Sequence, residues 1–140
     1  MNLNYSLPGN DMSVAGIASS SLKKNLMQLG VAPAIVKKAV ISLYEAEINM
    51  VIHGGGGIVD IEITPEAVTA VLTDHGPGIP DITLAMQEGY STASDLIREM
   101  GFGAGMGLPN IKKNSDYLDI KSIPGVETIV TIKVKLGQDK

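Results

Sequence analysis

The sequence predicts a two-layer α/β (α+β) sandwich in which a mixed, mostly antiparallel sheet is covered on one face by helices. Two observations lead to this prediction. Segments with helical apolar spacing come early, and segments with alternating apolar residues then follow in two pairs separated by turn residues. The chain has 140 residues and 44% hydrophobic content, which suffices for one core but not for two. We therefore expect a single domain over residues 1–140.

The N-terminal part is predicted to form a strand and two helices. LNYSL is a short strand candidate, and MSVAGIASSSLKKNLMQLG has the apolar spacing of a helix that ends at Gly30. Pro33 suits the first turn of a second helix, which ends at Gly54. The apolar stripe of this second helix comprises Val36, Ala39, Leu43, Ala46 and Met50.

The rest of the chain alternates between turns, strands and short helices. The glycine run 54–57 is expected to be a turn, and IVDIEIT and AVTAVLTD are expected to form a hairpin around Pro65. We expect a short helix over 81–88, a mobile loop or lid over about 89–103, and a further helix from AGMGLPNIKKNSD. YLDIKSI and ETIVTIKVKL are predicted to form a second hairpin.

Composition excludes several kinds of protein. The absence of cysteine excludes a disulfide framework and thiolate metal sites, and two histidines leave little for a histidine-rich metal site. The net charge of −4 argues against nucleic acid, whose phosphates need clustered Lys and Arg. The N-terminus lacks a basic start followed by an apolar run, and no segment approaches the ~20 apolar residues that span a bilayer. We therefore expect a cytoplasmic protein without a nucleic-acid or membrane partner.

The first polar motif is YEAEINMVIHG, in which Glu45, Asn49 and His53 recur every four residues. On a helix these three side chains share one side, beside the apolar stripe and at the edge of the interior. Spacing alone does not decide whether this line is part of a site or a solvated helix edge, where the helix dipole favours a terminal histidine.

The second motif is DHGPG. Asp74 continues the same-face line of Val68, Ala70 and Leu72, so its carboxylate should point into the core or a pocket floor. Buried carboxylates are rare unless a group donates to them. Either the glycines of this motif simply form a turn, or Asp74 accepts a hydrogen bond from an amino group such as that of adenine.

The third motif is GFGAGMGL, with glycines at 101, 103, 105 and 107 directly before a helix. Several backbone N–H groups and the positive end of a helix dipole then meet at one point, which favours an anion. A flexible hinge is the alternative interpretation. The segment matches neither the P-loop nor the dinucleotide-binding fingerprint.

In this order, EAEINMVIH, DHGPG and GFGAGMGL resemble the N box and the two glycine boxes of the Bergerat-fold ATPases, the superfamily of DNA gyrase, the heat-shock chaperones of ninety kilodaltons, MutL and histidine kinases. The resemblance covers essentially residues 1–136. The chain length and the tail after the third motif look most like the anti-sigma-factor serine/threonine kinases and the stressosome switch kinases. The resemblance implies a Bergerat ATP-binding fold with ATP and Mg²⁺ as cofactors.

The resemblance also implies a role for each matching residue. Glu45 matches the general base, and Asn49 matches the amide that holds Mg²⁺, an ion that prefers oxygen ligands. Asp74 matches the adenine-reading aspartate, and Thr128 matches a threonine near the adenine. The matching glycine-box positions are Gly76 and Gly78 in the first box, and Gly103, Gly105, Gly107 and Leu108 in the second, whose amides cap the phosphates. His53 matches the last N-box residue but is equally suited to a helix cap.

Two positions depart from the family pattern. Anti-sigma kinases commonly have an arginine just before the second glycine box, where this chain has Gly103, and the nearest arginine is Arg98. This difference favours the switch-kinase branch or a low catalytic rate. Glu127 stands where the last strand of the family often has glycine.

By this resemblance the chain is expected to phosphorylate a STAS-type anti-sigma-factor antagonist and to act as a partner switch in transcription regulation. The alternative is a nucleotide-gated protein that binds a sigma factor or regulator with little or no kinase turnover. A scaffold in which all three motifs are turns is a third interpretation. The resemblance also suggests a homodimer.

Overall fold

The computed structural model describes residues 1–9, 12–52, 56–74, 107–123 and 126–136. These residues form five strands and three α-helices, and a short 3-10 turn, Met12–Val14, precedes the first helix. In chain order the elements are β1 (Asn2–Pro8), α1 (Ile17–Gln28), α2 (Pro33–Ile52), β2 (Gly56–Ile63), β3 (Ala67–Asp74), α3 (Gly107–Asn114), β4 (Tyr117–Ile123) and β5 (Glu127–Lys135).

The strands form one sheet in the order β1-β2-β3-β5-β4. Every pairing between the described strands is antiparallel, which agrees with the prediction of a mixed, mostly antiparallel sheet, although these strands include no parallel pair. Apolar residues alternate along β2 and β3, and the buried ones pack against the helices. The predicted two-layer α+β class and the two predicted hairpins are confirmed.

The core lies between the sheet and α2, which also packs against α1 and α3. All five residues of the predicted α2 stripe are buried, because positions three and four apart share one side of a helix. Burial of a large apolar side chain stabilises the fold by about 1.5–3 kcal/mol. Helix α1 contributes Ala18, Leu22 and Leu26 to this core, and α3 contributes Ile111. No helix in the described ranges is both long and apolar enough to cross a membrane.

Two boundaries differ from the sequence predictions. The helix predicted from MSVAGIASSSLKKNLMQLG begins only at Ile17, because Gly16 adopts a left-handed conformation with φ of 100°. The second half of the glycine run 54–57 is strand and not the predicted turn, since Gly56 pairs with Pro8 and Gly57 with Leu7, and the first half lies outside the described residues. The helix expected over 81–88 and the loop expected over 89–103 lie outside the described residues.

Candidate functional site

The sandwich has two distinct ends, which are set by the antiparallel registers. At the end that we call the clamp end, the Asp116 carboxylate accepts a hydrogen bond from the backbone N–H of Lys135 at 2.7 Å. The same carboxylate lies 3.8 Å from the ammonium nitrogen of Lys38, near the start of α2. From Lys38 the helix rises away from the clamp end by about 16 Å before it reaches Asn49.

The opposite end, which we call the site end, therefore gathers the last turns of α2 with the termini of several other elements. Strands β3 and β4 finish there, and β5 begins there, because Asp74 pairs with Thr128 and Thr128 pairs with Ser122. The C-terminus of helix α3 leads to Asp116 at the clamp end, so its N-terminus at Gly107 is the terminus turned away from that end.

Helix α2 places Glu45 and Asn49 on one line near the site end. Both side chains are half-buried, whereas the neighbouring Ala46 and Met50 are buried in the core. The line therefore lies at the edge of the interior, where the spacing of the motif predicts it. His53, the third member of the line, is outside the described residues.

Asp74 is the last residue of β3 and is 7% exposed. It continues the buried alternation of that strand, so it lies on the helix-facing side of the sheet, as the sequence predicts. Its register partner Thr128 is 4% exposed, and the Thr128 hydroxyl lies 3.2 Å from the Ser122 hydroxyl. Directly opposed residues of an antiparallel pair have Cβ atoms about 4.5–5.5 Å apart, which makes Asp74 and Thr128 neighbours.

Gly57 allows α2 to approach the strand that carries Asp74. A Cβ atom at this position would lie 3.0 Å from the Met50 sulfur and 2.2 Å from the Thr73 carbonyl oxygen. The Met50 side chain is flexible and could move aside, but the backbone of Thr73 could not, so a side chain here would force β2 or β3 to shift next to Asp74. The glycine run of the sequence predicted a turn at Gly57. Its position two residues before Val59, on the inward side of the strand alternation, could have indicated that Gly57 belongs to the strand.

Glu47 is a second acid on α2, which the sequence analysis did not single out. Its side chain is fully buried, and its carboxylate accepts hydrogen bonds from the backbone N–H groups of Gly16 at 3.1 Å, Ala18 at 3.0 Å and Ser19 at 2.8 Å. These donors lie at the N-terminus of α1, where the cap residue Gly16 has no side-chain oxygen. A carboxylate there also faces the positive end of the helix dipole.

Glu47 could have been recognised from its place in the helical pattern. It lies four residues after Leu43 and three before Met50, which puts an acid on the apolar stripe. Two helix positions correspond to about 200°, so Glu47 points away from the side that carries Glu45 and Asn49.

The remaining predicted site residues lie mostly outside the described ranges. Of the third motif, GFGAGMGL, only the backbones of Gly107 and Leu108 at the start of α3 are described, and Ile111 anchors this helix in the core. The predicted roles of the other glycine-box positions, Gly76, Gly78, Gly103, Gly105 and Leu108, stay predictions.

The oxygen donors at the site end suit a metal ion that is coordinated mainly by water or by a bound anion. In the described part of the chain, no group of three or more His, Asp or Glu side chains comes together as a metal cluster. A hard cation near Asn49 would take the amide oxygen, and water or a bound anion would have to complete its coordination.

Comparison with protein families gives a match at residues 36–138 to the model of the histidine kinase-, DNA gyrase B- and HSP90-like ATPases. The serine/threonine-protein kinase RsbT of Bacillus subtilis is 28% identical over 117 residues, which cover 80% of this chain and 82% of that protein. The anti-sigma F factor of a Thermoanaerobacter strain is 36% identical over 101 residues, which cover 69% of this chain and 67% of that protein.

Two solved structures have a similar fold. The RsbU and RsbW domains of a Mycobacterium tuberculosis protein superpose with a TM-score of 0.67 at 17% identity, covering 99% of this chain and 33% of that one. The SiaB–SiaC complex of Pseudomonas aeruginosa gives a TM-score of 0.56 at 14% identity, with 95% of this chain and 89% of that one covered. At such identities the likeness concerns the fold alone.

Proposed function

This chain belongs to the family of histidine kinase-, DNA gyrase B- and HSP90-like ATPases, and we propose that it is an ATP- and Mg²⁺-dependent protein serine/threonine kinase of the anti-sigma-factor or switch-kinase type. One observation carries the proposal. The buried Asp74, opposite Thr128, lies at the same end of the sandwich as the half-buried pair Glu45 and Asn49. The names of the two relatives, a serine/threonine kinase and an anti-sigma factor, support the same activity.

The residues at the end of β3 fit a nucleobase that carries an amino group. The Asp74 carboxylate only accepts hydrogen bonds, and an exocyclic amino group donates them. Thr128 adds a hydroxyl beside it, and Gly57 keeps the inward side of β2 free of a side chain next to Asp74. ATP is the substrate that we propose for this pocket.

The residues on α2 and α3 fit the phosphates and their metal. Asn49 supplies a side-chain oxygen, which suits Mg²⁺, and the first turn of α3 supplies backbone N–H groups that favour an anion. When bound, Mg²⁺ would neutralise charge on the phosphate oxygens. The glycines that precede α3 would extend this cradle.

Glu45 is the base in the proposed transfer. Its carboxylate takes the proton from the acceptor hydroxyl as that oxygen bonds to the terminal phosphorus of ATP. The bond from this phosphorus to the bridging oxygen breaks, which releases ADP and leaves a phosphoserine or phosphothreonine on the partner. Half-burial suits the role, because the carboxylate stays within reach of a docked protein.

The partner that we propose is a STAS-type anti-sigma-factor antagonist, with a sigma factor as a second binding partner, in the cytoplasm. A phosphate adds about −1.5 to −2 charge to the surface that carries it, which can break a docked interface. Phosphorylation of the antagonist would therefore exchange one partner for the other. The name of the anti-sigma relative supports this proposal.

The proposal is tested by binding and by transfer. Calorimetric titration with ATP, with and without Mg²⁺, should show binding that strengthens with Mg²⁺ and is lost in Asp74→Asn. Transfer of label from γ-labelled ATP to a STAS-domain protein of the same organism should fall at least about 100-fold in Glu45→Gln, which keeps ATP binding.

Glu62→Gln is the matched control, because Glu62 is exposed on β2 and away from the site end. It should bind ATP and transfer phosphate as the unaltered chain does. A Glu45→Gln protein that transfers phosphate at the normal rate would refute the base assignment, and the absence of ATP binding would refute the kinase.

A nucleotide-gated binding protein is the second candidate function. The observation in its favour is Gly103, which stands where anti-sigma kinases commonly carry an arginine. In that case the unaltered chain binds ATP through Asp74 and binds its partner only with nucleotide present, yet it transfers no label to that partner.

A further inference from the structure

Three polar side chains cross the sheet in one row at the site end. Asp74 on β3, Thr128 on β5 and Ser122 on β4 are direct register partners. Strand alternation puts all three on the helix-facing side. The next row towards the core is apolar and consists of Leu72, Val130 and Ile120. The polar row is therefore the boundary between the core and the proposed nucleotide pocket.

Ser122 is the one member of this row to which the sequence motifs give no role. Its hydroxyl oxygen lies 3.2 Å from the hydroxyl oxygen of Thr128, within hydrogen-bonding distance. Thr128 is almost fully buried, so its hydroxyl is shielded from bulk water. A hydroxyl has one hydrogen to donate, and it can accept at the same time. If Ser122 donates to Thr128, the hydrogen of Thr128 stays available for a third group.

The edge of adenine that carries its amino group is bound by an acceptor next to a donor. Its amino group donates and the adjacent ring nitrogen accepts, whereas guanine presents an accepting oxygen beside a donating N–H. A carboxylate acceptor at Asp74 next to a hydroxyl that donates from Thr128 matches adenine and mismatches guanine. The direction of the Thr128 hydroxyl therefore affects which base is accepted.

We propose that Ser122 is a positioning residue for base recognition: it donates to Thr128 and holds that hydroxyl in the direction that favours adenine over guanine. This inference rests on the proposed ATP binding and adds a residue that determines its specificity. Ser122 acts through Thr128, so its loss should change the ratio of ATP to GTP affinity more than it changes the fold.

The test is calorimetric titration of Ser122→Ala with ATP and with GTP, in parallel with the unaltered chain. We expect ATP affinity to fall about fivefold to tenfold, the size of one hydrogen bond, while GTP affinity changes less. Ser122→Thr keeps a hydroxyl on a strand position and should restore the ATP-to-GTP ratio.

Ser115→Ala is the matched control. Ser115 lies just before β4, at its clamp-end terminus, and its buried hydroxyl has no hydrogen-bond partner in the described part of the chain. Its removal should leave both affinities unchanged. If Ser122→Ala does not fold, as judged by its thermal melting, Ser122→Cys takes its place, since a thiol is a weak donor and should also lower the ratio.

The outcomes separate this inference from the function on which it rests. An unchanged ratio in Ser122→Ala, with ATP binding that still needs Asp74, overturns the role of Ser122 and leaves the nucleotide site intact. An equal loss of ATP and GTP affinity gives Ser122 a structural role only, which also overturns the inference. If the unaltered chain binds no ATP, the proposed function fails and the inference fails with it.

Discussion

Glu45 and Glu47 lie two residues apart on α2, yet they have opposite surroundings. Glu45 is half-buried on the side of α2 that also carries Asn49, near the site end. Glu47 is fully buried on the side that faces α1, and three backbone N–H groups donate to it. The same side chain on the same helix thus serves as a candidate base on one side and as a helix cap on the other.

This difference shows that the surroundings of an acid, rather than its identity or its distance from a motif, determine its role. A buried carboxylate with three donors is held in place, because each charge-assisted hydrogen bond restrains it. Such a group is poorly suited to take a proton from an external hydroxyl. Glu45 retains access to solvent and to a docked partner, which a base needs.

The largest predicted effect is the loss of stability when the Glu47 cap of α1 is removed. Glu47→Gln should lower the free energy of unfolding by about 3 kcal/mol, because the amide places an N–H₂ group against backbone donors and loses the charge that faces the helix dipole. Glu45→Gln should lower it by less than about 1 kcal/mol, since that side chain is half-buried. Urea unfolding of both variants measures this difference in unfolding free energy, provided that the dependence of the free energy on urea concentration is the same in both.

The same pair of variants should differ in phosphotransfer in the reverse order of their effects on stability. Phosphotransfer by folded Glu47→Gln should stay close to that of the unaltered chain, whereas Glu45→Gln should lose it. Equal losses of stability in the two variants, or a loss of transfer in fully folded Glu47→Gln, would contradict the assignment of separate roles.

The features that the sequence predicts well are those with a local pattern. The α2 stripe, the two hairpins and the inward direction of Asp74 all follow from spacing of 3.6 or 2 residues, and the structure has each of them. The candidate line of Glu45 and Asn49 likewise follows from helical spacing. Family resemblance then assigned chemistry to positions that spacing had already placed together.

The features that no sequence pattern predicted depend on contacts between distant segments. Glu47 is a cap because α1 begins beside it, about thirty residues earlier in the chain. Ser122 matters because β4 and β5 align it with Thr128, and Gly57 matters because Met50 packs over it. Each needs the register or the packing of two elements, which no local pattern specifies.

A smaller loss of stability is expected from Gly57→Ala, which alters the packing next to Asp74 at the site end. The added methyl group would meet the Thr73 carbonyl oxygen and the Met50 sulfur, so the helix or the strand must shift. We expect a loss of about 2 kcal/mol in stability, as for other overpacked positions. ATP affinity should fall as well, because the added methyl group would also lie 3.0 Å from the Cα atom of Asp74, so the strand that carries Asp74 must shift. The readouts are urea unfolding and calorimetric titration.

Gly30→Ala is the control for Gly57→Ala. Gly30 has a φ of 77° and no heavy atom within 4 Å of an added Cβ, so it measures the backbone cost alone. That cost is about 1 kcal/mol, without a change in ATP affinity. If Gly57→Ala binds ATP as tightly as Gly30→Ala does, the close packing of Gly57 against β3 does not position the site.

The smallest predicted effect lies at the clamp end of the same helix. Lys38 and Asp116 are 3.8 Å apart, with their side chains 43% and 29% exposed, so water and salt screen the pair. Lys38→Met should lower stability by no more than about 0.5 kcal/mol and should leave ATP affinity unchanged. Lys37→Met alters an exposed neighbouring lysine and serves as the reference in thermal melts at low and high salt. A loss of ATP affinity in Lys38→Met alone would mean that the clamp end controls how α2 presents Glu45 and Asn49, and the two ends of the helix would then act as one unit.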